Sequence, residues 1–329
     1  MIHKEYDVTA LGELLIDFTE NGISSQGNVL LEANPGGAPC NVLAMLGKLG
    51  KKTAFIGKVG QDQFGDMLRK TIESVGINSE GLLTDKEVHT TLAFVHTYPD
   101  GDRAFSFYRN PGADMMLRKE EVSSDKIRAS RIFHFGTLSF THEGVREASE
   151  YAIQCAKEAG TLISFDPNLR EPLWEDLEDA RKAIEYGMEC CDILKIADNE
   201  LTFMTGETDY DKGALLLQGK YQIPLVCVTL GKNGSRAYYK GMMVTAESFL
   251  QENTIETTGA GDTFTGCMLN TVLEKGLDQL TEEDIRQMLQ FANAGASLIT
   301  TKRGALRVMP EKEEIESVSL SLTMQQRKI

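Results

Sequence analysis

Short apolar runs of strand length alternate with longer segments of helical period along most of the chain, and this alternation restricts the fold more than any other feature. Tyr6–Leu11, Lys52–Ile56, Arg131–Phe135, Leu162–Asp166, Ile193–Ile196 and Pro224–Thr229 read as strands. Between them, Cys40–Leu49 places Val42, Met45, Leu46 and Leu49 on one helical face. Gln63–Ser74 ends before Gly76, Glu143–Ala159 before Gly160, and Asp198–Thr205 before Gly206, each the expected helix stop. Leu177–Met188, Asp262–Glu274 and Glu283–Thr300 complete the helices. Repeated βαβ order predicts an α/β fold, a mostly parallel central sheet covered by helices on both faces.

Two stretches break the rhythm. Residues 13–35 carry no helical period. Residues 88–109 alternate polar and apolar at Thr91–His96 and Arg103–Tyr108 around a Pro99-Asp100-Gly101 turn, a hairpin pattern. Together they predict a small β-sheet over one edge of the body. The charged tail from Glu311 onward reads as solvated surface.

The 329 residues carry 49 acidic and 34 basic side chains, a net charge of -15. That balance argues against a nonspecific nucleic-acid binder, which needs clustered Lys and Arg. No apolar run approaches the roughly 18–20 residues that span a bilayer, and Met1–Asp7 has no apolar signal core. The expectation is a cytoplasmic protein without membrane or nucleic-acid partners. Six cysteines without a C-x-x-C pair read as small buried apolar residues in a reducing compartment. The five histidines form no metal or triad pattern, and read as surface or structural.

Three glycine-rich segments carry the chemistry. In Glu256-Thr257-Thr258-Gly259-Ala260-Gly261-Asp262, a Gly-Ala-Gly turn opens a helix. Free amides and the helix dipole there suit an anion, and the Asp262 carboxylate could accept a proton from a hydroxyl. An ordinary turn with Asp262 as cap is the other reading. Phe264 occupies the third position of a would-be G-x-G-x-x-G, which weakens a dinucleotide-binding reading, and no Gly-Lys pair is followed by Ser or Thr, which excludes a P-loop. Thr229-Leu230-Gly231-Lys232-Asn233-Gly234 follows a strand and could approach a nucleotide, or be a hairpin turn. Gly36-Gly37-Ala38-Pro39-Cys40-Asn41 opens a helix where paired glycines admit a polar ligand and Asn41 suits a sugar hydroxyl.

Taken together these segments resemble the ribokinase-like (PfkB) family of carbohydrate kinases, most closely its fructokinases. The resemblance covers nearly the whole chain. It runs through Gly12–Phe18, Gly36–Val42, Gly50, Phe55–Gly60, Phe64-Gly65, Thr91–Val95, Phe107–Asp114, Asp166–Arg170, Gly259–Asp262 and Phe291–Ala294. It implies a three-layer α/β/α domain over residues 1–329, with a small β-sheet lid from about 13–35 and 88–112.

The resemblance further implies ATP-dependent phosphorylation of a ketohexose primary hydroxyl, D-fructose giving fructose 6-phosphate. Asp262 would be the base, and the amides of Gly259, Ala260 and Gly261 the anion hole. Asp17, Gly36, Gly37 and Asn41 match sugar-gripping positions, Arg109 and Arg170 match arginines near the substrate, and Thr229, Gly231, Gly234 and Asn293 match nucleotide positions. ATP and Mg²⁺ are implied, with K⁺ as a further ion, and a homodimer paired through the lid.

Three departures stand out. Leu43 replaces a small residue. Glu256 stands where the family has Asp, so Glu256 and Thr258 are the positions implied for a monovalent cation. The N-x-x-E motif tied indirectly to Mg²⁺ reads Ala197-Asp198-Asn199-Glu200, keeping only Glu200. Within the family, a 2-keto-3-deoxygluconate kinase or a ribose or nucleoside kinase are alternatives. A non-catalytic sugar- or nucleotide-binding regulator on the same fold is the alternative of another class.

Overall fold

The structure, a computed structural model, describes residues 4–97 and 103–326. The chain opens with β1 (Tyr6–Leu11), β2 (Leu15–Ile23), β3 (Val29–Gly36), α1 (Ala38–Lys48), β4 (Thr53–Gly60), α2 (Gln63–Ser74) and β5 (Ile77–Asp85). It continues with β6 (Leu92–Thr97), β7 (Arg103–Tyr108), α3 (Ser124–Arg128), β8 (Ser130–Phe135), α4 (Glu143–Glu158), β9 (Leu162–Phe165) and α5 (Leu177–Cys190). Then come β10 (Ile193–Ala197), α6 (Asp198–Thr205), α7 (Tyr210–Tyr221), β11 (Leu225–Thr229), β12 (Ser235–Tyr239) and β13 (Met242–Ala246). Three helices close it: α8 (Ala260–Lys275), α9 (Glu282–Ile299) and α10 (Lys312–Gln326).

Nine strands form the central sheet in the order β13-β12-β11-β10-β9-β8-β1-β4-β5. Every pair is parallel except β11–β12 and β12–β13. The two-residue period of a strand sorts side chains to opposite faces. Ile132, Ile193, Leu225 and Cys227 face the layer of α1, α8 and α9. Their chain neighbours Phe133, Leu194, Val226 and Val228 face the layer of α4, α5 and α7. The two apolar cores on opposite faces of one sheet make the expected three-layer α/β/α architecture.

A second, separate sheet has the order β3-β2-β6-β7. Its β2–β6 pair is parallel, with Asp17 opposite Ala93, and β6–β7 is an antiparallel hairpin. The Pro99-Asp100-Gly101 turn lies outside the described residues. The segments read from sequence as β excursions therefore do form one sheet.

Several elements escaped the sequence reading. Strand β5 contains Asn78, Ser79, Glu80 and Gly81 and pairs through an irregular register, so no clean alternation marks it. Helix α7 exposes Leu215 and Leu216 while burying Leu217, which blurs its period. The tail is not simply solvated surface: it forms α10, with Ile315 fully buried in the core shared by α1, α8 and α9. Thr229–Gly234 is the turn of the β11–β12 hairpin.

All six cysteines are free thiols, and only Cys190 is not fully buried. His134 is buried against the Ser164 hydroxyl (3.1 Å), and burial lowers its pKa to about 4, so it is a neutral structural imidazole. His142 caps α4, its Nδ1 accepting the Gly144 N–H (3.4 Å). No described helix is long and apolar enough to cross a membrane.

Candidate active site

Two cavities lie on either side of the start of α8. The first, 440 Å³, is walled by Glu13, Asp17, Gly37, Asn41, Arg170 and Asp262, among others. The second, 490 Å³, is walled by Thr229, Gly231, Gly234, Phe249, Phe264 and Asn293, among others. Lys195, Thr257 and Gly261 line both.

Gly259 sits before α8 with φ 76°, a left-handed conformation that glycine adopts without steric penalty. The Ala260 N–H turns back onto the Thr257 carbonyl (3.2 Å). The Gly259 and Gly261 amides are left at the helix start, where no carbonyl four residues earlier can bind them. Of the three consecutive amides expected to form an anion cradle, the Ala260 N–H is thus already engaged, and Ala260 supplies wall to the second cavity.

Asp262 stands in the first turn of α8. Asn41 Nδ2 donates to its Oδ2 (2.8 Å) across the boundary between α1 and α8. Burial raises the Asp262 pKa to about 6, against the opposing effect of that hydrogen bond. Asn41 Oδ1 is buried without a partner among the described residues. Such an orphan acceptor is costly unless a ligand or water supplies a donor.

At Gly37 the backbone turns into α1 with φ 131°, and a side chain there would collide with the Glu13 carbonyl. A side chain at Gly36 would collide with the Asp17 carboxylate. The paired glycines thus make room for the wall of the first cavity. Asp17, half-buried, is raised to about 7 by burial, with Arg170 pulling the other way. Arg170 lines the same cavity, its Nη1 donating to the Asn168 and Leu169 carbonyls (3.4 and 3.3 Å).

Arg109 is placed elsewhere. Its guanidinium is committed to Asp114 (Nε, 2.8 Å; Nη2, 2.7 Å), to Thr141 Oγ1 (2.8 Å) and to the Leu138 carbonyl (3.0 Å). It borders a separate 680 Å³ cavity rather than the first one, and acts as a buried brace at the root of the small sheet.

Glu200 also departs from expectation. Its Oε1 accepts the Leu169 N–H (2.7 Å) and its Oε2 the Ala197 N–H (2.8 Å), and it borders neither cavity. Glu256 is buried, with one oxygen accepting the Gly304 N–H (2.8 Å). Thr258 lines the first cavity. Among the described residues, no group of three or more His, Cys, Asp or Glu converges to hold a metal.

Thr229, Gly231, Gly234 and Asn293, the positions that the resemblance implied for a nucleotide, all line the second cavity. Asn293 Nδ2 donates to the Ala246 and Glu247 carbonyls (3.2 and 3.0 Å), which fixes the end of β13.

Two residues of the site escaped the sequence reading. Glu13 is buried on the wall of the first cavity and accepts the Ala38 N–H at the start of α1 (2.7 Å). Burial raises it to about 7. Lys195 is buried beside Asp166, with Nζ 3.1 Å from Oδ2. A lone lysine inside the apolar run Ile193–Ala197 was the signal that could have found it.

A polar cavity and a largely apolar one, divided by a helix start that carries a carboxylate, suit a phosphoryl transfer between two ligands. The sequence matches the pfkB family carbohydrate kinase description over residues 6–312. The chain belongs to the pfkB family. It is a sugar kinase, an enzyme that transfers phosphate to a hydroxyl. It is 44% identical over 306 residues to "Probable fructokinase-2" of Arabidopsis thaliana, covering 92% of each chain. Its fold is similar to that of a fructokinase with bound ATP from Xylella fastidiosa (TM-score 0.87, 28% identity, 96% of this chain and 99% of that one). It is also similar to a Vibrio cholerae O395 fructokinase double mutant in its fructose-, ADP- and potassium-bound form (TM-score 0.86, 28% identity, 96% and 99% covered).

Proposed function

We propose that this pfkB kinase transfers the γ-phosphoryl group of ATP to the primary hydroxyl of fructose, giving fructose 6-phosphate. One observation carries the reading: the two cavities share the Gly261 end of α8, with Asp262 on the polar side of that boundary. The names of the relatives support the choice of sugar.

The polar cavity takes the sugar. Asp17, Asn41 and Arg170 direct hydrogen bonds at its hydroxyls, and the Asn41 Oδ1 gains the donor it lacks. The second cavity takes adenosine between Thr229, Gly231, Gly234 and Asn293. The ionised Asp262 accepts the proton of the attacking hydroxyl, and the amides at the helix start stabilise the charge spread over the phosphoryl oxygens. Little covalent chemistry is asked of the protein beyond this positioning.

ATP enters with Mg²⁺, which would neutralise phosphate charge. With no group of three or more His, Cys, Asp or Glu placed to hold a metal among the described residues, phosphate oxygens and water supply most of its ligands, the usual habit of that ion. Glu256 suits K⁺: it is a buried carboxylate that forms no ion pair among the described residues, and Thr258 lies two residues on. The small sheet acts as a lid, excluding water that would compete for the phosphoryl group. Its exposed Ile23, Val29, Leu30, Leu31 and Tyr108 form the surface through which two lids pair in a homodimer. Sedimentation showing only monomer at micromolar concentration would remove the dimer.

The deciding experiment is ADP release measured with ATP, Mg²⁺ and a panel of fructose, 2-keto-3-deoxygluconate, ribose and nucleosides. Fructose should give the highest kcat/KM. Preference for another member of the panel reassigns the substrate, and no ADP with any of them rejects the kinase reading for this site.

A further inference from the structure

Phosphoryl transfer brings the triphosphate of ATP to a wall already crowded with acid. Glu13, Asp17 and Asp262 line the first cavity, and Asp166 lies just behind it. A fixed positive charge is needed where the γ-phosphoryl crosses from one cavity to the other, because charge placed in advance costs no reorganisation during the reaction. Arg170 borders only the first cavity and Lys232 only the second. Among the described residues, Lys195 is the one cation that borders both.

Its environment is built to present an ammonium at that point. Lys195 rises from the C-terminal half of β10, inside a run otherwise apolar. Asp166 holds Nζ with both oxygens, at 3.1 and 3.3 Å. Thr265 Oγ1, one turn into α8, reaches the same carboxylate at 3.5 Å and the Gly261 carbonyl at 2.9 Å. An ammonium has three donors, so the pair leaves one for a ligand. Burial pushes the lysine down, but the carboxylates of Asp166, Glu200 and Asp262 outweigh it and keep it charged. A Cβ at position 261 would stand 3.1 Å from Nζ. Glycine there keeps the ammonium open to the amide cradle, a reason for that residue besides the turn itself.

We propose that Lys195 is a catalytic residue that contacts the transferring γ-phosphoryl group from the boundary of the two cavities, held in place by Asp166. This rests on the kinase reading above. As the bond from the γ-phosphorus to the bridging oxygen of ATP breaks and the bond to the sugar oxygen forms, the hydroxyl proton passes to Asp262. Lys195 keeps its own proton throughout and offsets the charge on the phosphoryl oxygens.

Lys195→Met alone would strand a buried Asp166 carboxylate and could unfold the protein. The informative variant is therefore the neutral pair Lys195→Met with Asp166→Asn, checked by circular dichroism and thermal melting. Lys195 and Asp166 act on Asp262 in opposite directions, so removing both leaves the acid limb of the pH profile in place. The expected result is a loss of kcat of roughly 10²-fold or more, the usual cost of deleting one transition-state charge donor. Sugar KM and ADP affinity should stay within about threefold, while affinity for a non-hydrolysable ATP analogue falls. A folded double variant with kcat near wild type would overturn the proposal. So would a loss of kcat accompanied by a shifted acid limb, which would place the effect on Asp262 instead. If the wild-type protein itself phosphorylates no sugar, the kinase reading fails first, and that outcome is distinct from either.

Discussion

The two cavities differ in kind. The side proposed for the sugar is lined by titratable groups, with Glu13, Asp17 and Asp262 all held above the ordinary carboxylate range by burial. The side proposed for the nucleotide is lined mostly by uncharged residues, with Phe249, Leu250, Ala260, Phe264 and Ala296 supplying an apolar surface among hydroxyl and amide side chains. The difference teaches how one enzyme can hold two substrates with separate physics. A sugar offers only hydroxyls, so it must be gripped by directed, charge-assisted hydrogen bonds. A purine offers a flat apolar face, so it can be gripped by a slot.

The largest effect should come from the base itself. Asp262→Asn should lower kcat by about 10²- to 10⁴-fold while fructose and ATP still bind, as measured by ADP release and titration calorimetry. Near-normal turnover would remove Asp262 from its role. In the unaltered enzyme the same group predicts the acid limb. With the Asp262 pKa near 6, kcat/KM should fall about tenfold per pH unit once the medium is well below that value. A limb near 4 would mean the carboxylate is solvated rather than buried.

The apolar side is tested by filling it. Ala296→Phe overpacks the second cavity, at a cost of about 1–3 kcal/mol, so KM for ATP should rise by roughly 5- to 150-fold. KM for fructose should not follow. Equal changes in both would show that the two sides are not energetically separate.

The smallest effect concerns stability. Asp17 has its pKa raised to about 7 from the ordinary 3.8. The folded state then binds a proton between those values that the unfolded chain has released, so stability falls as pH rises through that window. Asp17→Asn removes the buried charge. It should raise Tm by about 1–3 °C at pH 8, with the gain shrinking by pH 5, while fructose binding is lost. A variant that is less stable at pH 8 would show that Asp17 is well solvated, and would blur the contrast between the cavities.

The sequence made much of this visible, for physical reasons. Strands such as Leu225–Thr229 are buried on both faces, so they read as continuous apolar runs, and the Gly259–Asp262 turn carries its chemistry within a few consecutive residues. What could not be read was whatever depends on a distant partner. Arg109 looked like a substrate arginine until Asp114, Thr141 and Leu138 were seen to occupy it. Glu200 kept its place in a motif, but both its oxygens brace backbone amides. Lys195 stands out in sequence as a lone cation in an apolar strand, but its place between the cavities shows only where Asp166 and Gly261, from different parts of the chain, close around it. The same holds for α10, whose weak pattern gains meaning through Ile315 packing into a core built by other helices.

Helix α1 carries Asn41, helix α8 carries Asp262, and the two touch again lower down at Gly266. A Cβ added there would lie 2.7 Å from the Cβ of Met45. The bare α-carbon works as a gauge, setting the distance between two rods whose upper ends hold Asn41 and the proposed base Asp262. Misplacing such groups by about 1 Å can cost 10²-fold in rate. A single methyl group at this hidden spot, one turn beyond Asp262 and lining neither cavity, would therefore register as a slow enzyme before it registered as an unstable one.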